Sequence, residues 1–562
     1  MNASLQPCKY NNCFVQKKSA AVAIVNNTNS INFRRKNLLT QDVFVKAKLI
    51  SKGQSAEKFV DAILDRLYAY EDVNAKHQIK KYIKEGKILL SKSLYRTALR
   101  NDTTVGTCSI FVNSRDDIHK HILNGNGLAI NLNNEEKPVE SLLQIDDLTL
   151  TIGKSSVRPP AGLAALDINN KDILKFLNYK NDKDYSQTCF STSVFLPEGF
   201  LEKVDKDEFI TLTDKKQVKA KFIYDKIIDS ILKKGNPGII YENKLNNANS
   251  IPSHKYHGVS TCAEMGLEQG ELSMFSYINL SEFFKNGKID YKQMNKATQI
   301  LTETLNKVID MNEKNKLYSN DVNINKRRFG IGVCGYADLI AKMGLEYGSK
   351  EALEVLEHCL EMINYASKES SMKVAKRNGT FKFFTISSWK NKDFFIKHNN
   401  QANDSPVTDK MWEELFENVQ KYGLRNASTT ALPPTCSSAT MAGTTMSIEP
   451  YFSLRNNMVF EEALKNLNLT NEQQKQVYEQ IAQTDSCQNI DFLSVDFKKV
   501  FKVATEIDFC KHIDTVAHAQ KYVDDGISKT VNLPHSATSE DIDNVIRYAN
   551  KHNIKGIAIY RN

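Results

Sequence analysis

No stretch of this 562-residue chain is apolar for long enough to span a bilayer, which excludes a transmembrane helix. No long block of lysine and arginine stands clear of acidic residues, so a nucleic-acid-binding arm is not expected despite a net charge of +9. No second Cys/His pair lies near Cys8 and Cys13, so these read as unpaired tail thiols and no metal site is expected. A secretory leader is also not expected. Lys17-Lys18 precede an apolar run at 19–25, but the run is short and Asn26-Asn27 follow without a cleavage site. Ten cysteines without a leader point to reduced thiols and a cytoplasmic location. What is present is a globular composition, 41% hydrophobic and 25% charged, in a chain long enough for a large core. The dispersed positive balance would help attract phosphorylated small molecules; a solvated surface accounts for it equally.

Residues 1–40 carry no clear periodicity and read as an irregular N-terminal segment. Over 41–100 the pattern is helical: Phe59, Ile63 and Leu67 recur at four-residue spacing, and Ile79, Tyr82, Ile83 and Ile88 follow more loosely. The third unit, 101–562, alternates short apolar strands, such as Ser109-Ile110-Phe111-Val112 and Leu128-Ala129-Ile130-Asn131-Leu132, with helical stretches. Leu353, Leu356, Leu360 and Ile363 form one helical stripe, and Asn378-Gly379 suits a left-handed cap at its end. The alternation predicts an α/β fold. Periodicity alone leaves open whether the sheet is doubly wound or closed into a barrel.

The chemistry-bearing stretch is Val259-Ser260-Thr261-Cys262-Ala263-Glu264-Met265. On an extended segment Cys262 and Glu264 would share a side, and a thiol beside a base is a reactive pair. The bland reading is a packed thiol. Pro434-Thr435-Cys436-Ser437-Ser438 then leads towards Ile448-Glu449-Pro450. Hydroxyls and backbone N–H groups at a helix start can hold an anion or merely cap the helix.

In order along the chain stand Thr107-Cys108, Gly125-Asn126-Gly127-Leu128, Ser156-Val157-Arg158-Pro159-Pro160-Ala161-Gly162, Gly235-Asn236-Pro237-Gly238, the Cys262/Glu264 loop and Gly330-Ile331-Gly332-Val333-Cys334-Gly335-Tyr336-Ala337-Asp338. Together with the Pro434 loop they resemble the large, catalytic subunits of ribonucleotide reductases. The resemblance implies a ten-stranded α/β barrel with a central finger loop, preceded by a helical region and without an N-terminal nucleotide-binding cone. It implies that Cys262 carries a thiyl radical and that Glu264 takes the 3'-hydroxyl proton. It makes Cys108 the thiol that protonates the departing 2'-hydroxyl. Thr107, Gly125, Pro434, Thr435, Cys436, Ser437 and Ser438 then hold the substrate, a ribonucleoside di- or triphosphate, and residues 156–162 match a specificity loop. The implied reaction yields 2'-deoxyribonucleotides for DNA synthesis.

Three departures from the family pattern matter. The second redox cysteine falls at Ser273, and a hydroxyl cannot form a disulfide. The asparagine before the radical cysteine is Ser260, with a shorter reach. The last cysteine is Cys510, so recharging by a terminal cysteine pair is not expected, and the electron donor is external and unknown. Cys189 and Cys436 are candidate replacement thiols, each with a packed-thiol reading beside it. Where iron-dependent members carry adjacent tyrosines stand Ala558 and Ile559, with only Tyr560 nearby. This argues against a radical-generating partner subunit. Residues 527–534 and 555–561 resemble the adenosylcobalamin-dependent class, so that cofactor is expected by resemblance. The stretch 116–123 is a short remnant of the family's dimer helices, implying a monomer or an altered dimer. Two other readings stay open: a different radical reaction on a nucleotide, and a homologue that binds nucleotide and regulates without catalysis.

Overall fold

Short β-branched and apolar runs, each followed by a longer helical pattern, become strands separated by helices. The computed structural model describes residues 37–68, 72–100, 107–112, 115–156, 159–182, 188–314, 321–399, 402 and 404–561. Ten strands form one mixed sheet. They are β1 (Ile88–Leu90), β2 (Thr107–Phe111), β3 (Gly127–Asn131), β4 (Gly162–Asp167), β5 (Phe190–Leu196), β6 (Gly238–Tyr241), β7 (Leu272–Asn279), β8 (Gly330–Cys334), β9 (Thr530–Leu533) and β10 (Gly556–Arg561).

Strands β2 to β6 run parallel and make one half of a ring. In the other half β7 and β8 are parallel, as are β9 and β10. Antiparallel seams join β7 to β2 and β10 to β6. An extended segment completes the ring: Thr430 bridges Ile331 of β8, and Leu432 bridges Ile527 just ahead of β9, both in parallel. The fold is therefore the barrel, not the doubly wound sheet.

Alternate strand residues face opposite sides. Ala164, Leu166, Val194, Ile239, Val333 and Val531 join a large outer cluster beneath the helices. The inner faces form two smaller clusters. One gathers Phe111, Ala129, Phe275, Tyr277 and Cys334 with Met265 and Leu267. The other gathers Leu163, Ala165, Phe195 and Ile240 with Tyr256 and Val259. Residues 256–267 thus divide the interior between them, as the expected finger loop would.

Outside the ring, helices Tyr291–Lys314 and Lys350–Asn378 pack together. The predicted stripe Leu353, Leu356, Leu360 and Ile363 is buried on the second. Gly379 ends that helix at φ 82 and ψ 166, a positive φ but not the left-handed helical cap expected there. Helices Ala56–Leu67 and Val73–Lys84 bury Ile63, Leu67, Ile79, Tyr82 and Ile83, with Phe59 half-buried. Ile88 departs from the helical expectation because Gly86, at φ 72, breaks the chain direction and Ile88 opens β1. The remnant at 116–123 forms helix Arg115–Leu123, packed on helix Pro138–Gly153. Residues 1–36, with Cys8 and Cys13, and Val157 and Arg158 of the specificity loop lie outside the described residues. No described helix is long and apolar enough to cross a membrane.

A buried charge cluster holds the base of the finger loop. Arg328 Nη1 donates to the Gly266 carbonyl at 2.8 Å and to Glu271 at 2.7 Å, Nε donates to Ser428 Oγ at 3.1 Å, and Nη2 donates to Asp525. Its Cζ stands 4.8 Å from the Tyr256 ring centroid. Lys326 brings a second cation to Glu271 at 3.1 Å. Burial pushes the Glu271 carboxyl up, but the charges of Arg328 and Lys326 outweigh it and hold the group below the ordinary carboxylate range. Removing one member of such a cluster leaves a buried charge uncompensated. Arg328→Ala is therefore expected to lower unfolding stability by about 3–5 kcal/mol, read from urea denaturation by circular dichroism; a loss below about 1 kcal/mol would refute the role given to this cation.

Candidate active site

The finger loop is a hairpin whose arms, Gly258–Val259 and Gly266–Leu267, pair antiparallel. Glycine at 258 is required by close approach, since a Cβ there would sit 2.3 Å from the Phe111 ring. Asn131, at the end of β3, donates to the His257 carbonyl at 2.6 Å and ties the entering arm to the ring. At the tip the Ser260 and Ala263 amides donate to the carbonyls of Met265 and Ser260, each at 2.8 Å. Ser260 Oγ accepts from the Met265 amide at 3.0 Å, and Ala263 sits at φ 59.

Cys262 and Glu264 therefore meet across a tight turn rather than by alternation along an extended strand. Glu264 Oε2 accepts from the Cys262 amide at 3.1 Å. Glu264 is 2% exposed, while Cys262 is half-buried. Burial pushes the Glu264 carboxyl up; hydrogen bonds from Ser260 and from the amides of Glu264 and Cys262 pull it back, and the net direction is above the ordinary value. Ser260, fully buried, fills its expected hydrogen-bonding position by fastening both the turn and the carboxylate.

Strands β2 and β7 bring the other expected residues side by side. Leu272 pairs with Ile110, Ser273 with Ser109 and Met274 with Thr107, the register shifting between Ser273 and Met274. Cys108 is the residue skipped by that shift, so the backbone sets it opposite the Ser273–Met274 step, as a bulge does. The side chains of Thr107 and Cys108 lie outside the described residues. Alternation along β7 puts Ser273 on the same face as Phe275 and Tyr277, inside the ring.

The Pro434 loop enters helix Cys436–Ala442 through Thr435 at φ 56. That backbone is strained for a β-branched residue, and it is held because Thr435 Oγ1 accepts from the Ser447 amide at 2.9 Å. Ser437 is half-buried, as is Pro434, whereas the Ser438 hydroxyl donates to the Leu90 carbonyl at 3.0 Å. Asp338 of the Gly330–Asp338 motif accepts from Thr444 Oγ1 at 2.7 Å and from the Thr445 amide at 2.9 Å, anchoring the loop's far end. Gly125, at φ 76, makes the turn into β3. Among the described residues no group of three or more His, Cys, Asp or Glu could hold a metal ion.

A family model described as ribonucleotide reductase, barrel domain, matches residues 125–560. The chain belongs to the ribonucleotide reductase barrel family. A vitamin B12-dependent ribonucleoside-diphosphate reductase of Thermoplasma acidophilum is 29% identical over 447 residues, 75% of this chain and 54% of the relative. One from Mycobacterium tuberculosis is 25% identical over 443 residues, 75% of this chain and 59% of that one. The chain thus spans a little over half the length of these curated relatives. Among solved structures, the class Id ribonucleotide reductase alpha subunit of Actinobacillus ureae superposes with a TM-score of 0.74 at 17% identity, covering 94% of this chain and 98% of that one. At that identity the likeness speaks for the fold alone.

Within this reductase barrel the two candidate replacement thiols separate. Cys189 packs in the outer cluster with its thiol 3.0 Å from Asp146, away from the finger loop. Cys436 lies in the inner cluster with Met265. Sequence reading missed Arg328 and the residues at 524–526 altogether, although Arg328 immediately precedes a motif that was read and Asp525 immediately precedes another. It also missed the buried Lys529–Glu449 pair that ties the phosphate-loop exit to β9.

The Glu264 shift makes a stability prediction with a definite sign. A raised folded value means the native state holds the proton more tightly than the unfolded chain, so stability falls as pH rises through the window from the unfolded to the folded value. Glu264→Gln removes that loss. The variant is expected to melt above wild type at pH 8 and to converge with it near the acid side of the window; a wild type more stable than the variant at pH 8 would contradict it.

Proposed function

We propose that this chain is a ribonucleotide reductase-type thiyl-radical enzyme acting on a ribonucleoside di- or triphosphate. The observation that carries this is the Cys262–Glu264 clasp at a hairpin tip inside a closed ten-strand ring. Cys262, as a thiyl, removes the 3'-hydrogen of the ribose. Glu264 takes the 3'-hydroxyl proton, and its raised pKa suits a base that must accept a proton and return it. Cys108 protonates the 2'-hydroxyl, which departs as water. Thr435, Ser437, Ser438 and the amides at the start of helix Cys436–Ala442 hold the phosphates, with Thr107, Gly125, Pro434 and Cys436 lining the substrate.

Deoxygenation consumes two electrons. Ser273 stands beside Cys108 where a disulfide partner is needed, so the reductant is a donor outside the chain, such as formate or a small thiol. Ser273 also favours a second reading, in which the radical is made but the product is not the 2'-deoxynucleotide.

Adenosylcobalamin is the proposed cofactor, in line with the printed names of the relatives. The residues fit such a group. Ile557 and Ile559 of β10 are buried in the outer cluster, so Ala558 and Tyr560 face the other way and both are partly exposed. A methyl at 558 leaves open surface beside the 526–529 segment, whose Gly526 amide touches the finger loop. Ala558 and Tyr560 would line the cofactor. When bound, it supplies the one-electron oxidation of the Cys262 thiol. With this source no radical-generating partner subunit is needed, and the protein acts as a monomer or an altered dimer. Cys334, Cys359, Cys487 and Cys510 are free thiols, in keeping with a reducing cytoplasm. The unit boundaries near residues 40 and 100 are part of the same reading.

The test is incubation with adenosylcobalamin and each ribonucleotide, with and without formate or dithiothreitol, and mass-spectrometric identification of deoxynucleotide and free base. Deoxynucleotide is expected only with a donor, and free base without one. Cys262→Ser is expected to fold and to lose turnover completely. Normal activity in that variant would sink the thiyl assignment. Multiple turnovers without any donor would sink the claim of a missing internal reductant.

A further inference from the structure

We infer that the Asp525-Gly526 turn, clamped by Arg328, is a positioning element that sets where Cys262 and Glu264 stand in the ring. The inference rests on the reading of those two residues as the radical and proton-accepting groups.

The contact is direct. The Gly526 amide donates to the Glu264 carbonyl at 2.8 Å. A Cβ on residue 526 would lie 3.0 Å from the Ala263 carbonyl oxygen and 3.2 Å from that of Glu264. The turn therefore presses on both peptide units that flank the tip, with no slack for a single added methyl.

The turn itself is immobilised on every side. The Asp525 carboxylate takes Arg328 and the Ser428 hydroxyl, the latter at 2.6 Å. The Asp525 amide donates to the Thr430 carbonyl at 3.1 Å, and the Gly526 carbonyl accepts from the Leu432 amide at 3.1 Å. Lys555 Nζ donates to the carbonyls of both Asp524 and Asp525. Lys368 pairs with the Asp524 carboxylate. Each of these charged side chains is 7% exposed or less.

Arg328 makes the arrangement more than a buttress. The guanidinium that holds Asp525 also donates to the Gly266 carbonyl in the returning arm and stacks on Tyr256 ahead of the entering arm. One rigid fork thus fixes the base of the hairpin and, through Gly526, its tip. A planar group with donors in fixed directions can hold two partners in register, which a lysine cannot. A purely structural role would require only that the hairpin be packed; it would not need the tip carbonyls met from across the ring.

The experiment uses the full chain. Gly526→Ala is compared with wild type in steady-state kinetics, in the pH dependence of kcat and in iodoacetamide labelling of Cys262, mapped by peptide mass spectrometry against Cys510. The labelling needs no turnover, so it decides the positioning question even if wild type makes no deoxynucleotide, a result that would sink the functional reading alone. A displacement of a few tenths of an ångström is expected to lower kcat about tenfold with KM within about twofold, and to change Cys262 labelling at least about threefold. The rising limb of the pH profile should move and the melting midpoint should not. Unchanged labelling overturns the inference, as does a kcat loss accompanied by equal loss of KM and melting midpoint. Should Gly526→Ala fail to fold, Asp525→Asn, of the same shape but without the charge that Arg328 grips, is put through the same measurements and read by the same criteria.

Discussion

The desolvated guanidinium of Arg328 is satisfied only when four separate parts of the chain have arrived. Gly266 and Glu271 come from the finger loop and its exit, Ser428 from the segment that closes the ring, and Asp525 from the turn ahead of β9. A buried cation missing one of these anions is costly by several kcal/mol. Partial assemblies are therefore disfavoured, and hairpin, closure and turn form together. The large outer cluster supplies hydrophobic stabilisation, but it is indifferent to the exact height of the hairpin. The charge cluster is not.

The same physics explains an unusual stave in the barrel. The segment that closes the ring carries Asn426, Ser428, Thr429 and Thr430, all buried. No apolar alternation marks it. It is held instead by a polar stripe on helix Lys350–Asn378: Ser367 Oγ lies 2.8 Å from Thr429 Oγ1, Lys368 donates to Thr429 Oγ1 at 2.8 Å, and Ser371 donates to Asn426 at 2.9 Å. Buried polar groups of this kind are tolerated because they are paired, and they fix one register where apolar side chains would permit several.

This is also why the sequence was legible in one place and opaque in another. Cys262 and Glu264 are two residues apart, and their meeting is settled locally by Ser260 and the positive φ of Ala263. The strands at Ile110 and Leu128 and the stripe from Leu353 to Ile363 were read from apolar periodicity, which reports burial faithfully. Arg328 and Asp525 are nearly two hundred residues apart, and nothing in either neighbourhood announces the other. The polar stave has no period to detect. Ile88 was misread because an apolar residue at helical spacing after Gly86 looks the same whether the helix continues or a strand begins. Cys189 and Cys436 read alike as candidate thiols; only the fold puts one on the outer layer and the other inside.

The short strand β1 has a consequence for the chain as a whole. One edge of β7 is shared: β2 covers Leu272 to Met274, and β1 covers Ser276 to Ile278. The N-terminal helices are therefore tied into the sheet through Ile88–Leu90 rather than resting on its outside. A shorter chain begun near residue 107 would keep every residue proposed for the chemistry and yet bare three residues of backbone N–H and C=O on the edge of a central strand. Such an edge recruits strands from neighbouring molecules. The N-terminal region thus acts as a guard against self-association of the barrel, a duty separate from substrate and cofactor.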